Sequence, residues 1–148
     1  MKKLFLMMAM VLSALNICAF EFDGIDLNKP YIKVTQEIAK RGYSYDVEKN
    51  CLKGVCQGTE IFLYVNYVDV KQEGQVGQLV VEIPMGEGQK TLKDVETIFN
   101  VVYHQVPGAT GVTTYQVDND GTKLAVSQKG ASIFLTYTTP FYKAPVKK

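Results

Sequence analysis

The chain has 148 residues, 47% of them hydrophobic and 21% charged, with a formal net charge of +1. An apolar share this high with few charges excludes an intrinsically disordered chain. The near balance of 16 basic and 15 acidic residues offers no basic excess for a dedicated nucleic-acid surface.

Met1-Lys2-Lys3 makes a short positive start, followed by an apolar run from Leu4 to Leu15 that only Ser13 interrupts, and then by Asn16-Ile17-Cys18-Ala19. A positive region, an apolar core of roughly 7–15 residues and a small residue at the end are the three parts of a secretory signal. Residues 1–19 are therefore expected to be a cleaved signal peptide ending at Ala19, with residues 20–148 forming a single exported domain, periplasmic or secreted. The run is shorter than the roughly 20 apolar residues a membrane span takes, and no other stretch approaches one. Cys18 is where a lipoprotein would be acylated. Asn16 and Ile17 are not the small residues expected before such a cysteine, so lipidation is the less favoured branch. Loss of Lys2 and Lys3 with the leader leaves 14 basic residues against the 15 acidic ones, a net charge of −1.

The first element is a helix from about Lys29 to Arg41. Asn28 is suited to cap it, and Pro30 fits the first turn, where its missing N–H costs nothing. Leu27 and Ile32 occupy the positions of a hydrophobic staple. Tyr31, Val34 and Ile38 form the apolar stripe at helical spacing. Gly42 supplies the left-handed residue that ends the helix, letting Tyr43 fold back onto Ile38.

Residues 44–56 read as a weak extended stretch containing Cys51 and Cys56, which can be arranged in two ways. If Lys53-Gly54 is a two-residue hairpin turn, Leu52 pairs with Val55. The two cysteines then meet at a non-hydrogen-bonded pair, close enough for the disulfide that an oxidising compartment favours. If residues 50–56 form one continuous strand, the cysteines lie roughly 16 Å apart on opposite faces and cannot bond. A short internal match favours the continuous strand. Gly58-Thr59-Glu60-Ile61-Phe62-Leu63 lines up with Gly130-Ala131-Ser132-Ile133-Phe134-Leu135, and Leu52 with Leu124 at the same offset.

Strands are expected over residues 59–70, with Ile61, Leu63, Val65 and Tyr67 on one face and Phe62, Tyr64 and Val68 on the other, and over residues 76–84, alternating through Leu79, Val81 and Ile83. A second helix is expected from about Leu92 to Val106. Thr91 is its cap, Asp94 faces the dipole in the first turn, and Val95, Ile98, Phe99, Val102 and Val106 make its apolar face. Pro107-Gly108 stops it. Strands over 111–117, 122–128 and 132–139 follow, divided by Asp118-Asn119-Asp120-Gly121 and Lys129-Gly130.

The order αβββ-αβββ, with short turns, implies an α+β fold: an antiparallel sheet with two helices on one face, and an internal duplication as one account of the repeated order. Phe62, Tyr64 and Phe134 would then stud the other face among Asn66, Thr136 and Thr138. Aromatic side chains on an open sheet face mark a candidate binding surface.

Signs of catalysis are missing. His104, the only histidine, falls about 200° round the second helix from Val102 and is expected to face solvent. No metal-ligand spacing, phosphate loop or nucleophile elbow occurs, and no cofactor is implied. The Asp118–Gly121 cluster lacks the alternate oxygen ligands and closing Glu of a calcium loop. A cysteine nucleophile would need a base, and only His104 is at hand.

Phe22-Asp23-Gly24-Ile25-Asp26-Leu27, the helix end Lys40-Arg41-Gly42-Tyr43, and Leu52-Lys53-Gly54-Val55-Cys56-Gln57-Gly58 leading into Ile61 and Tyr64 together resemble small exported proteins of unknown function from gut anaerobic bacteria. Some of these are similar in fold to β-lactamase inhibitor protein. The resemblance implies an α+β fold and transfers no catalytic residue. The basic tail, with Lys143, Lys147 and Lys148, departs from the acidic, aromatic ending expected of that group.

The expected function is that of an exported, non-catalytic module binding a protein or other envelope macromolecule. The alternatives are a small envelope hydrolase built on carboxylates and tyrosines, and a structural or lipid-anchored envelope component. Nothing in the residues sets the oligomeric state.

Overall fold

A computed structural model of the chain describes residues 27, 29–56, 59–68, 74–86, 91–117 and 121–142. The expected leader with Cys18, the capping role of Asn28, the Asp118-Asn119-Asp120 turn and the basic tail lie outside the described residues.

Helix α1 spans Tyr31–Lys40. It begins one residue after Pro30, which stands at its cap with extended dihedrals (φ −55°, ψ 145°) and no side-chain capping bond. The chain is anchored here through the backbone instead. Pro30 bridges Gln75, and the Tyr31 N–H donates to the Gly74 carbonyl at 2.6 Å. Val34 and Ile38 are fully buried, and Tyr31 packs against the core. Ile32 lies about 200° from Val34 round the axis and is 65% exposed, so it forms no staple. Gly42 takes φ +97°, and Tyr43 enters the core behind it.

Residues 44–56 resolve into two strands, β1 (Ser44–Asp46) and β2 (Cys51–Cys56). Their hairpin turn falls at residues 47–50, with Asn50 at φ +52°. Lys53 and Gly54 therefore lie inside β2, opposite Phe62 and Ile61. Strands β3 (Thr59–Val68) and β4 (Gln75–Pro84) follow, with a register shift at Asn66/Tyr67.

Helix α2 spans Leu92–Val102 and starts in a reciprocal capping box between Thr91 and Asp94. Two orphan N–H groups are satisfied at once. Thr91→Ala is expected to lower stability by about 1 kcal/mol in urea titration; no measurable change would mean the box is not formed in solution. The helix ends four residues earlier than its apolar periodicity suggests. Tyr103 is extended (φ −121°, ψ 164°), and its ring packs 5.6 Å from Phe99 and 6.5 Å from Tyr115. The freed chain becomes β5 (His104–Val106), paired with β6 (Thr113–Gln116). His104 is exposed, on an edge strand rather than a helix. Strands β7 (Lys123–Lys129) and β8 (Ser132–Thr138) form the last hairpin. Gly130 at φ +61° takes the first loop position, where a two-residue hairpin wants a left-handed residue.

The eight strands form one antiparallel sheet in the order β1-β2-β3-β4-β8-β7-β6-β5. Among the described residues each half is one helix and four strands, not three, and the halves meet where β4 pairs with β8. The internal match seen in the sequence equates β3 with β8 and β2 with β7, strands that hold different places in their halves. β3 and β8 are the two neighbours of β4, and each turns an Ile and a Leu into the core with a Phe between them. One cluster of buried residues unites Val34, Ile38, Val95, Ile98 and Phe99 of the helices with Ile61, Leu63, Val81, Ile133 and Leu135 of the sheet.

Candidate functional site: a carboxylate between two phenylalanines

Successive side chains on a strand alternate faces, and directly opposed residues share one. Leu63, Val81, Leu135 and Val126 form an in-register row within the core cluster. The neighbouring row, Lys53–Phe62–Glu82–Phe134–Ser127, therefore points to the opposite face. Tyr64–Val80–Thr136–Ala125 and Asn66–Gln78–Thr138–Lys123 continue that face toward the other strand ends.

Glu82 is the centre of this surface. Its side chain is 15% exposed. Oε1 accepts from the Tyr64 hydroxyl at 2.9 Å and Oε2 from the Ser132 hydroxyl at 3.0 Å. Lys49, from the β1–β2 turn, brings Nζ to 3.9 Å from Oε1 and to 3.8 Å from the Phe62 ring centroid. A carboxylate largely removed from water needs such donors and a counter-charge. The ammonium over the ring adds a cation–π contact.

The three aromatic residues singled out from sequence all lie on this face but differ in access. Phe62 is only 6% exposed because Lys49 covers its ring, so it is not the open contact expected. Tyr64 is half-buried with its hydroxyl engaged by Glu82. Phe134, also half-buried, stands on the far side of Glu82 from Lys49's strand pair. Val55, two residues beyond Lys53 on the same face, is 66% exposed. Lys49, Glu82 and Ser132 were not apparent from the sequence. The one available signal was an acid inside the branched aliphatic run Val80-Val81-Glu82-Ile83.

Cys51 is a buried free thiol, and β2 runs unbroken from it to Cys56. Burial, and then Asp46, push the Cys51 thiol above its ordinary value of 9.0, while its hydrogen bond with Tyr64 and the nearby Lys49 pull the other way. Burial first, and the Glu82 carboxylate second, likewise raise the Tyr64 hydroxyl well above 10.0. A thiol held protonated is a poor nucleophile. Among the described residues, no group of three or more His, Cys, Asp or Glu side chains is placed to hold a metal.

These shifts predict an alkaline weakness. Above pH 9 the unfolded chain releases the Cys51 proton, and above pH 10 that of Tyr64, while the folded protein retains both. The unfolded state then binds fewer protons, so stability falls as pH rises. Denaturation midpoints measured from pH 8 upward are expected to decline, and the decline should be shallower in Tyr64→Phe. An identical slope in that variant would show that Tyr64 is not a source of it.

The chain matches no family model, and comparison with curated proteins and with solved structures gives no match.

Proposed function

We propose that this is an exported, non-catalytic binding module whose contact surface is the sheet face carrying Phe62, Glu82 and Phe134, with both helices packed on the other face. The helix placement is supported by the shared burial of Val34, Ile38, Val95 and Ile98 with Ile61, Leu63, Val81 and Leu135. Sheets clothed by helices on one side leave the other for solvent or a partner. The observation that carries the reading is the Phe62–Glu82–Phe134 row, a braced polar centre with the partly exposed Phe134 ring beside it. Interfaces favour such a pairing of large side chains with a few fixed polar groups. The partner is a protein or other macromolecule of the cell envelope. The resemblance to small exported proteins similar in fold to β-lactamase inhibitor protein belongs to the same reading, supported by the helix-then-strands order of both halves.

Phe134→Ser and Val55→Ser, made together, are expected to abolish capture of the partner from an envelope fraction while circular dichroism stays unchanged. Phe62 is left intact because its burial ties it to folding. Undiminished capture by the double variant would reject the sheet face. For export, mass spectrometry of the mature protein is expected to show a chain beginning at Phe20. An acylated Cys18 would replace that outcome with a lipid anchor.

A further inference from the structure

The β1–β2 hairpin and β3 do not run together to their ends. The β2–β3 pairing begins at Leu52 opposite Leu63, whereas β3 continues to Val68 against β4 alone. Where the hairpin turns away, a cleft of about 770 Å³ opens, within the range of small-molecule sites. Tyr31 and Thr35 of α1 form one wall, and Tyr45, Lys49 and Asn50 of the hairpin another. Tyr64 and Asn66 of β3 line it from within.

The character of this lining is specific. Three tyrosines supply flat surface with a polar edge at low conformational cost. Asn50 supplies an amide able to donate twice. The Tyr45 hydroxyl is hydrogen-bonded to the Asn50 side-chain oxygen, so the N–H groups are what Asn50 offers a ligand. Among the described residues, Lys49 is the sole charged side chain in the lining, and its ammonium is already committed to Glu82 and the Phe62 ring. An anionic ligand would have to draw Lys49 from both, stranding a largely buried carboxylate. A purely apolar ligand would cover the Asn50 amide and leave it unpaired, at a penalty of about 1–3 kcal/mol. The remaining chemistry is that of a neutral molecule with apolar C–H faces and a rim of hydroxyls.

We propose that the cleft between α1, the β1–β2 hairpin and β3 binds a short neutral oligosaccharide, with sugar faces against Tyr45 and Tyr31 and hydroxyls met by Asn50. Neither Phe134 nor Val55 lines the site, although it shares Lys49 and Tyr64 with the Glu82 cluster. Two clean variants exist. Tyr45 is 60% exposed on a three-residue edge strand, so Tyr45→Ala removes contact area without opening the core. Asn50→Gly keeps the left-handed backbone at φ +52° and deletes only the amide.

Calorimetric titration of the purified protein with maltotriose, cellotriose and tri-N-acetylchitotriose tests this. Saturable binding of at least one trisaccharide is expected. Tyr45→Ala and Asn50→Gly should each weaken it about tenfold, and Phe134→Ser should leave it unchanged. The proposal is overturned if no trisaccharide binds with a Kd below about 1 mM, or if both cleft variants bind as the parent does. Weakening by Phe134→Ser alone would move the sugar to the sheet face and equally overturn the cleft.

Discussion

Replacing Tyr115 by Ala is expected to bring the domain close to unfolding, with a loss of about 3–5 kcal/mol in urea titration. Tyr115 is completely buried on β6, and its ring stands 5.9 Å from Phe99 and 6.5 Å from Tyr103. Those three rings join α2 to the second half of the sheet, so truncation leaves a ring-sized cavity between them. The hydroxyl donates to Asn100 Oδ1 at 3.0 Å and lies 3.3 Å from the Glu96 carbonyl. Tyr115→Phe keeps the ring and forfeits only these bonds, at about 0.5–1.5 kcal/mol. The Ala loss should therefore exceed the Phe loss by a wide margin. Equal losses would show that the hydrogen bonds, and not the ring packing, hold α2 to the sheet. Since small domains have only about 5–15 kcal/mol in total, the Ala variant should also be readily proteolysed.

Gly54→Val is expected to be the second most damaging change, at about 1–3 kcal/mol or more. Gly54 lies inside β2 opposite Ile61, and a Cβ built on it would fall within the Tyr43 ring at Cδ1 and Cε1. Tyr43 is itself a core residue, so the valine must either expel it or displace the strand. Both outcomes reduce buried aromatic area. Gly54→Ala poses the same collision with less bulk, and its loss should be the smaller of the two. A thermal midpoint unchanged in Gly54→Val would mean that Tyr43 does not lie over β2. The glycine is unrelated to left-handed backbone here: it is present because a ring occupies the place of its side chain.

Several elements were legible because their signals are local. Val34 and Ile38 repeat at four residues, Gly42 follows in the place where a left-handed residue ends a helix, and Thr91 precedes Asp94 by three. Each is a statement about one turn of chain and held in the fold. The alternation of Ile61 and Leu63 with Phe62 and Tyr64, and of Ile133 and Leu135 with Phe134, was equally plain, since a strand packed on one side must alternate. The end of α2 was not. Val102 and Val106 suit a helix by their spacing of four, but alternate positions in a strand are met by the same residues. The helix stops at Tyr103, whose extended backbone leads into β5 while its ring stays beside Phe99 and Tyr115. The β1–β2 turn was missed for a related reason. Lys53-Gly54 carries turn chemistry, but the favoured continuous strand holds as β2, where the glycine serves the Tyr43 ring, and the reversal ahead of it uses Asn50.

The sequence-near properties of this protein are the apolar stripes, the caps and the strand alternation, because all of them depend on neighbours within a few residues. The candidate surfaces are a different matter. Lys49, Glu82 and Ser132 are far apart along the chain, and no spacing rule relates them. Antiparallel register sets Phe62 and Phe134 on either side of Glu82, and the hairpin's departure from β3 both covers Phe62 and opens the cleft. Register and strand divergence result from packing over the whole sheet, so which aromatic side chain stays accessible could be learned only from the assembled fold.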